Sequence, residues 1–254
     1  MNFFQLVGKI WVKYWRQFMI GVGNTMLIAL VSTLLGLLIG LAIGVIRTMP
    51  KSKNKIVCVL QKCLNGIFSA YIEIFRGTPM MVQAMVIYWG YAFMANGQTL
   101  PLIPSAIFIV SVNTGAYMAE IVRGGIISVD KGQYEGAASI GMSHVQTMLH
   151  VVIPQVLKNI LPAISNEFVI NIKDTSVLNV IGVAELFYQT QMVAKINFEI
   201  FATYAIVCVV YFILTFTVTR LLRLCERLLE GKKNYTICGS QSDPRAEIRV
   251  KEGD

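Results

Sequence analysis

Glu167, Asn171 and Asp174 recur four and three residues apart and so share one face of a helix. Asn113 and Glu120, seven apart, form a comparable stripe earlier in the chain. Acids and amides set into apolar runs usually face a bundle interior and mark a path for a polar solute. Glu167 is the preferred contact for a cationic group. Asp174 has Lys173 beside it, so a structural pairing there is an equal alternative. The complementary charge lies in Phe75-Arg76-Gly77-Thr78-Pro79. Thr78 is a good N-cap and Pro79 suits a first helical position. A helix starting there aims free amides and a positive dipole outward, and Arg76 adds a full charge, so this break is expected to meet an anionic group. The alternative is a plain interfacial break, with Arg76 paired to Glu73 on the same helix face.

Composition says what must hold these residues. Of 254 residues, 55% are hydrophobic and 14% charged, and the mean hydropathy is +0.62. A soluble domain carries about a quarter charged residues, so this chain cannot coat a water-facing surface. The net charge of +8 has no basic domain behind it, which excludes nucleic acid as a partner and marks cytoplasmic loops instead. The cysteines Cys58, Cys63, Cys208, Cys225 and Cys238 form no C-x-x-C pair, and His144 and His150 lie outside the apolar spans. No metal site, disulfide framework, resident cofactor or nucleophile–base pair is expected, which leaves an enzyme without support.

The expected fold is an all-α integral membrane protein with about five transmembrane helices: 19–46, an interrupted 56–95, 102–121, 151–177 and 200–222. The first run exceeds the ~7–15 apolar residues of a signal peptide and matches the ~20 that cross a bilayer. Gly36, Gly40 and Gly44 within it follow a small-xxx-small pattern that permits close helix approach. Residues 1–18 interleave Lys9, Lys13 and Arg16 with Trp11, Tyr14 and Trp15, as an interfacial amphipathic helix does. The transmembrane domain so delimited is 19–230, and 231–254 reads as a disordered cytoplasmic tail. Arg47, Lys51, Lys53 and Lys55, and later Arg220, Arg223, Arg227, Lys232 and Lys233, place those segments inside. The N-terminus is then outside and the C-terminus cytoplasmic. Lys9, Lys13 and Arg16 stand against this orientation unless their helix snorkels at the outer surface.

The loop 122–150 lies on the cytoplasmic side and carries Tyr134-Glu135-Gly136-Ala137-Ala138-Ser139-Ile140-Gly141-Met142-Ser143, with Val151-Val152-Ile153-Pro154 after it. A short helix of small residues, ended by Gly141, suits close docking against another protein. Glu135 near its start favours the positive helix end. Pro154 sits where a missing amide costs least. The spacing of Glu135, Gly141 and Pro154 resembles the EAA motif of ATP-binding-cassette importer permeases, with Gly136, Val151 and Ile153 as departures. The resemblance implies the type I importer arrangement. Glu135, Gly136, Ala137, Ala138, Gly141 and Pro154 would couple to an ATPase, alternating access would follow nucleotide-driven closure, and ATP and Mg would be bound by that partner. The chain has no G-x-x-x-x-G-K-[ST] loop of its own.

Phe75-Arg76-Gly77-Thr78-Pro79, Gly115-Ala116-Tyr117-Met118-Ala119-Glu120-Ile121-Val122-Arg123-Gly124-Gly125 and Lys173-Asp174-Thr175-Ser176 resemble the polar-amino-acid branch of these permeases. That likeness implies two ATP-binding subunits, a second permease as homodimer or heterodimer, an extracytoplasmic amino-acid-binding protein, membrane lipid around the spans, and a bacterial inner or plasma membrane. On this footing Arg76 and Thr78 are expected at the substrate carboxylate and Glu167 at its ammonium or cationic side chain. The rival readings are an ABC permease for another solute, and an ion-coupled carrier or channel using Glu167 and Asp174. The latter has no use for a cytoplasmic helix of small residues.

Overall fold

The computed structural model describes residues 2–50, 52, 54–230, 235–238 and 247–250. The chain is nearly all helical. Helix α1 runs Phe3–Thr48, α2 Lys55–Gly77, α3 Met80–Met94, α4 Leu102–Ile127, α5 Lys131–Ser139 and α6 His144–Thr147. A π-helical turn, Met148–Val152, leads into α7, Ile153–Asp174; a 3₁₀ segment, Thr175–Ile181, follows; then come α8, Leu186–Asn197, and α9, Ile200–Glu230. Strands β1, Tyr235–Cys238, and β2, Glu247–Val250, pair antiparallel within the segment expected to be a disordered tail. The rest of that segment, with Lys232 and Lys233, and Lys51 and Lys53 earlier, lies outside the described residues.

Five helices are long and apolar enough to cross a membrane. The expected boundary near residue 18 does not form: α1 is one helix of 46 residues, about 69 Å long at 1.5 Å per residue. No proline or glycine pair interrupts it there, and Ile10, Tyr14 and Phe18, four apart, bury one continuous face against α8 and α9. A helix more than twice the ~30 Å hydrocarbon thickness must tilt steeply or extend past the bilayer.

The C-terminal half of α1 lies on α4, the most enclosed span. A Cβ on Gly36 would stand 2.8 Å from that of Thr114; one on Gly40 would meet Met118, 2.7 Å from its carbonyl carbon; and one on Gly44 would come within 2.9 Å of the Val122 Cβ. The contacts climb both helices together, so α1 and α4 are parallel, and the small-residue row is their contact line. At the same level Asn171 Nδ2 donates to Thr33 Oγ1 at 2.8 Å, and Thr114 Oγ1 donates to Asn171 Oδ1 at 3.1 Å. These buried bonds tie α1, α4 and α7.

By length and composition Lys55–Gly77 alone counts as a span. Its contacts say otherwise. The Tyr71 hydroxyl reaches Val112 O, and Asn113 Nδ2 reaches Phe75 O at 3.3 Å, so α2 ends halfway along α4. Helix α3 covers the other half, where the Tyr88 hydroxyl donates to Leu100 O at 3.2 Å. The two pieces together cover the length of α4.

Glu185, in the connection between the fourth and fifth spans, is fully buried. Its carboxylate caps α8, accepting from Phe187 N at 2.8 Å and Tyr188 N at 2.6 Å, and also from the Tyr211 hydroxyl at 3.2 Å. Thr25 Oγ1 accepts from Leu186 N, and Asn24 Nδ2 donates to Ala184 O. One buried node therefore joins α1, α8 and α9. Burial pushes the Glu185 carboxyl up to about 7, and its donors only partly oppose the rise.

Two outcomes follow. Gly40→Ala should destabilise the protein by about 1–3 kcal/mol because overpacked contacts must give way. Gly8→Ala, with nothing within 4 Å of its Cβ, should be neutral or stabilise by up to about 1 kcal/mol; thermal unfolding in detergent compares the two. The folded chain holds the Glu185 proton that an unfolded chain releases from near pH 4.5 upward. Stability is therefore fullest at or below that pH and falls as pH rises toward about 7, by about 3 kcal/mol from this group. Glu185→Gln should flatten that slope of the thermal midpoint against pH.

Candidate translocation site and coupling surface

The break between α2 and α3 needs partners for the last carbonyls of α2, because no water is at hand in an apolar bundle. Gln83 supplies them. Its Nε2 lies 2.9 Å from Phe75 O, 2.9 Å from Thr78 O and 2.8 Å from Thr78 Oγ1. Asn113 Nδ2 donates to Gln83 Oε1 at 2.9 Å, holding the amide in place. Both side chains are buried. Gln83 did not stand out in the sequence reading, although it is the one amide in the apolar run after Pro79, and that isolation was the available signal.

The expected Thr78 N-cap does not form. Thr78 is the C-cap of α2 and Pro79 occupies the N-cap position of α3 without a side-chain cap. The Thr78 hydroxyl turns back to Ile74 O at 2.7 Å, which leaves it unable to fold over the start of α3. The amides of Val82 and Gln83 bond to Pro79 O. Those of Met80 and Met81 are left, among the described residues, as the donors at this helix start.

Arg76 is exposed beside the break, its guanidinium carbon 5.4 Å from the centre of the Tyr117 ring. The ion pairs among the described residues both involve Glu120, so the alternative Arg76–Glu73 pair is not formed there. Half-buried Glu167 on α7 lies close enough to Arg76 and Asp174 to feel both charges. Neither Glu167 nor Asp174 has a hydrogen bond or ion-pair partner among the described residues. Asp174 and Lys173 are both exposed and form no ion pair there. The structure thus brings Arg76, Tyr117, Glu167 and Asp174 onto one side of α2, α4 and α7, with opposite charges close to a helix break. Such a face can hold a small solute that carries both signs of charge.

The other sequence-selected residues have structural partners. Asn171 is the buried tie between Thr33 and Thr114, and Asn113 belongs to the Gln83 latch. Glu120 is gripped by Arg47 and by Arg123, whose Nε and Nη2 lie 3.0 and 2.8 Å from its Oε2. Arg47 also reaches Ser69, so this group fastens the C-terminal ends of α1 and α4 to the middle of α2. The seven-residue spacing put Asn113 and Glu120 on one helix face, but two different neighbours meet that face.

In the loop 122–150, Asp130 caps α5 by accepting from Gly132 N at 2.7 Å. Asp130 and not Glu135 therefore holds the place at the positive helix end; Glu135 falls a turn later and is exposed. Gly141 has φ of +79°. Gly141 N bonds Ala138 O and Met142 N bonds Ala137 O, the paired bonds of a Schellman ending. Ala137 is buried; Gly136, Ala138 and Ile140 point outward, with Val145 and Leu149 also exposed nearby. Ser143 and Gln146 cap α6 reciprocally, and Pro154 lies in the first turn of α7. Gln155 Nε2 reaches Gln133 Oε1 at 3.2 Å, which ties α5 to the start of α7.

Residues 58–230 match the family described as the inner membrane component of binding-protein-dependent transport systems. The glutamine transport system permease protein GlnP of Escherichia coli K12 is 35% identical over 198 residues, covering 78% of this chain and 88% of that protein. The L-cystine transport system permease protein TcyB of Bacillus subtilis is 35% identical over 219 residues, covering 86% and 88%. The crystal structure of an amino acid ABC transporter aligns at a TM-score of 0.74 with 36% identity, over 90% of this chain and 99% of that one. The inward-facing MetNI methionine ABC transporter aligns at 0.62 with 18% identity, over 82% and 96%, and shares the fold. With its five apolar helices and this match over residues 58–230, the chain belongs to the binding-protein-dependent transport system inner membrane component family.

Proposed function

We propose that this chain is the transmembrane permease subunit of an ATP-binding-cassette importer that carries a polar or charged amino acid into the cell by alternating access. The observation that carries the reading is the charged side of α2, α4 and α7, where Arg76 stands beside a helix break and Glu167 on α7 lies within reach of its charge, with Asp174 two turns further along α7. Arg76 and the amides at the start of α3 receive the carboxylate, with Thr78 shaping the break. Glu167 receives the ammonium or a cationic side chain, and Asp174 adds negative charge. Asn113, Asn171 and Glu120 position this wall. The relatives that transport glutamine and cystine support an amino-acid cargo.

ATP and Mg are bound by two partner ATPase subunits, and hydrolysis takes place there. They dock on α5 and its flank, at Glu135, Gly136, Ala138 and the turn at Gly141, over buried Ala137, and Pro154 starts the helix that takes the force. A second permease copy or a similar chain completes the pathway; of the apolar window of α2 only 6% is buried within one chain. An extracytoplasmic binding protein delivers the cargo to the outer side, with the N-terminus outside and the C-terminus in the cytoplasm of a bacterial cell.

Two measurements test this. With the complex assembled in proteoliposomes, Arg76→Ala and Glu167→Gln should each lower labelled amino-acid uptake about tenfold or more, the scale of one lost charge-assisted contact, while basal ATP hydrolysis persists. Unchanged uptake in assembled Arg76→Ala complexes would remove the carboxylate role. Ile140→Asp, at a residue 76% exposed, should weaken co-purification of the ATPase without changing the thermal unfolding of the permease. Full retention of the ATPase would move the docking surface elsewhere.

A further inference from the structure

The outer flank of α7 and α9 carries a second charged feature that the transport path does not use. Val169 and Lys173 on α7, with Phe212, Thr215, Phe216, Thr219, Arg220 and Arg223 on α9, enclose an open groove of about 270 Å³. It continues past Val169, Thr219 and Arg223 into a neighbouring depression of about 260 Å³ that also holds Ser165, Asn166 and Glu226. Val169 is two residues from Glu167, about 200° around the helix, so the groove opens away from the Arg76–Glu167 side.

Lys173, Arg220 and Arg223 are exposed, and no acid lines the first groove. Glu226 lies in the neighbouring depression and forms no ion pair with Arg223 among the described residues. The Thr215 and Thr219 hydroxyls are turned to the carbonyls of Tyr211 and Thr215 at 2.8 and 2.7 Å, which leaves the cations as the free donors. Arg220 rests over the Phe216 ring at 4.9 Å. Phe212 and Phe216 are 66% and 49% exposed, an apolar bed next to the charges. A ligand matching this surface is anionic at one end and aliphatic at the other. Arg220 and Arg223, with Lys173 across the groove, form no ion pair among the described residues, and such cations beside a bed of aromatic rings, at the basic end of a span, match a lipid with a net negative headgroup.

We propose that this groove binds an anionic phospholipid, with its phosphate held by Arg220, Arg223 and Lys173 and an acyl chain lying on Phe212 and Phe216. The bound lipid bridges α7, which starts directly after the coupling segment, to α9. It thereby braces the helix that takes up the force of the ATPase.

Lipid retained by the permease–ATPase complex decides the matter. The complex is purified in detergent containing equal phosphatidylglycerol and phosphatidylcholine, and bound lipid is counted by mass spectrometry. The unaltered complex should retain phosphatidylglycerol in preference, and Arg220→Gln/Arg223→Gln should retain roughly tenfold less. Arg227→Gln, on the same helix but outside the groove, should retain as much as the unaltered protein. Equal retention in the double variant, or equal loss in Arg227→Gln, overturns the proposal. So does a double variant that separates permease copies while its lipid content is unchanged, since the groove would then be an interface between chains. A second measurement needs only the unaltered complex. Short-chain phosphatidylglycerol should raise its thermal midpoint, while short-chain phosphatidylcholine and inorganic phosphate should not. A matching rise with phosphate would make the site a general anion site and overturn the lipid assignment.

Discussion

The close approach of α1 to α4 is the contact from which the rest of the structure is built. In a bilayer, apolar side chains gain nothing by leaving lipid for each other, so helices associate through tight packing and buried hydrogen bonds. Gly36, Gly40 and Gly44 provide the first and the Thr33–Asn171–Thr114 chain provides the second. With α1 and α4 joined, α7 is fixed by Asn171, the C-terminal ends of α1 and α4 are fixed by the Arg47–Glu120–Arg123 group, and the Glu185 node holds α8 and α9 to the middle of α1, where Asn24 and Thr25 bond Ala184 and Leu186. Each tie satisfies a polar group that would otherwise be stranded.

That same constraint explains how a helix can be broken inside the bundle. Ending α2 beside the middle of α4 strands its carbonyls, and Gln83 and Asn113 answer them. The latch keeps the backbone satisfied without using Arg76. The guanidinium is left over Tyr117 and near Glu167, in a setting where an unpaired charge is expensive and an incoming zwitterion can offset it. A rigid wall around an unsatisfied charged side is what a carrier requires, since a site already paired within the protein would have little to offer its cargo.

The loop around α5 follows a different logic. Small residues at Gly136 and Ala138 leave the outer face of α5 flat, and the Schellman turn at Gly141 ends the helix before it can extend into α6. Apolar Ile140, Val145 and Leu149 stay exposed around it, which a water-facing loop tolerates poorly unless another protein covers it. Gln133 and Gln155 then link α5 to α7, the helix that carries Glu167 and Asp174. The loop of small residues and the charged wall are thus joined through α7.

Composition and periodicity alone placed the chain in a membrane, located five apolar segments, set the break at Arg76-Gly77-Thr78-Pro79 and isolated the loop that carries Glu135, Gly141 and Pro154. Those features depend on neighbours in sequence, through helix period, span length and turn chemistry. The length of α1 was not legible, because charges at Lys9, Lys13 and Arg16 look like a boundary until Ile10, Tyr14 and Phe18 are seen to be covered from one side. Nor could spacing separate Glu167 from Asn171, or Asn113 from Glu120. A helix face is a local property, whereas the group that meets it belongs to another part of the chain. Only tertiary structure could assign Asn171 to Thr33 and Thr114, Glu120 to two arginines and Gln83 to the α2 carbonyls, because each of those partners lies on a different helix or across the break.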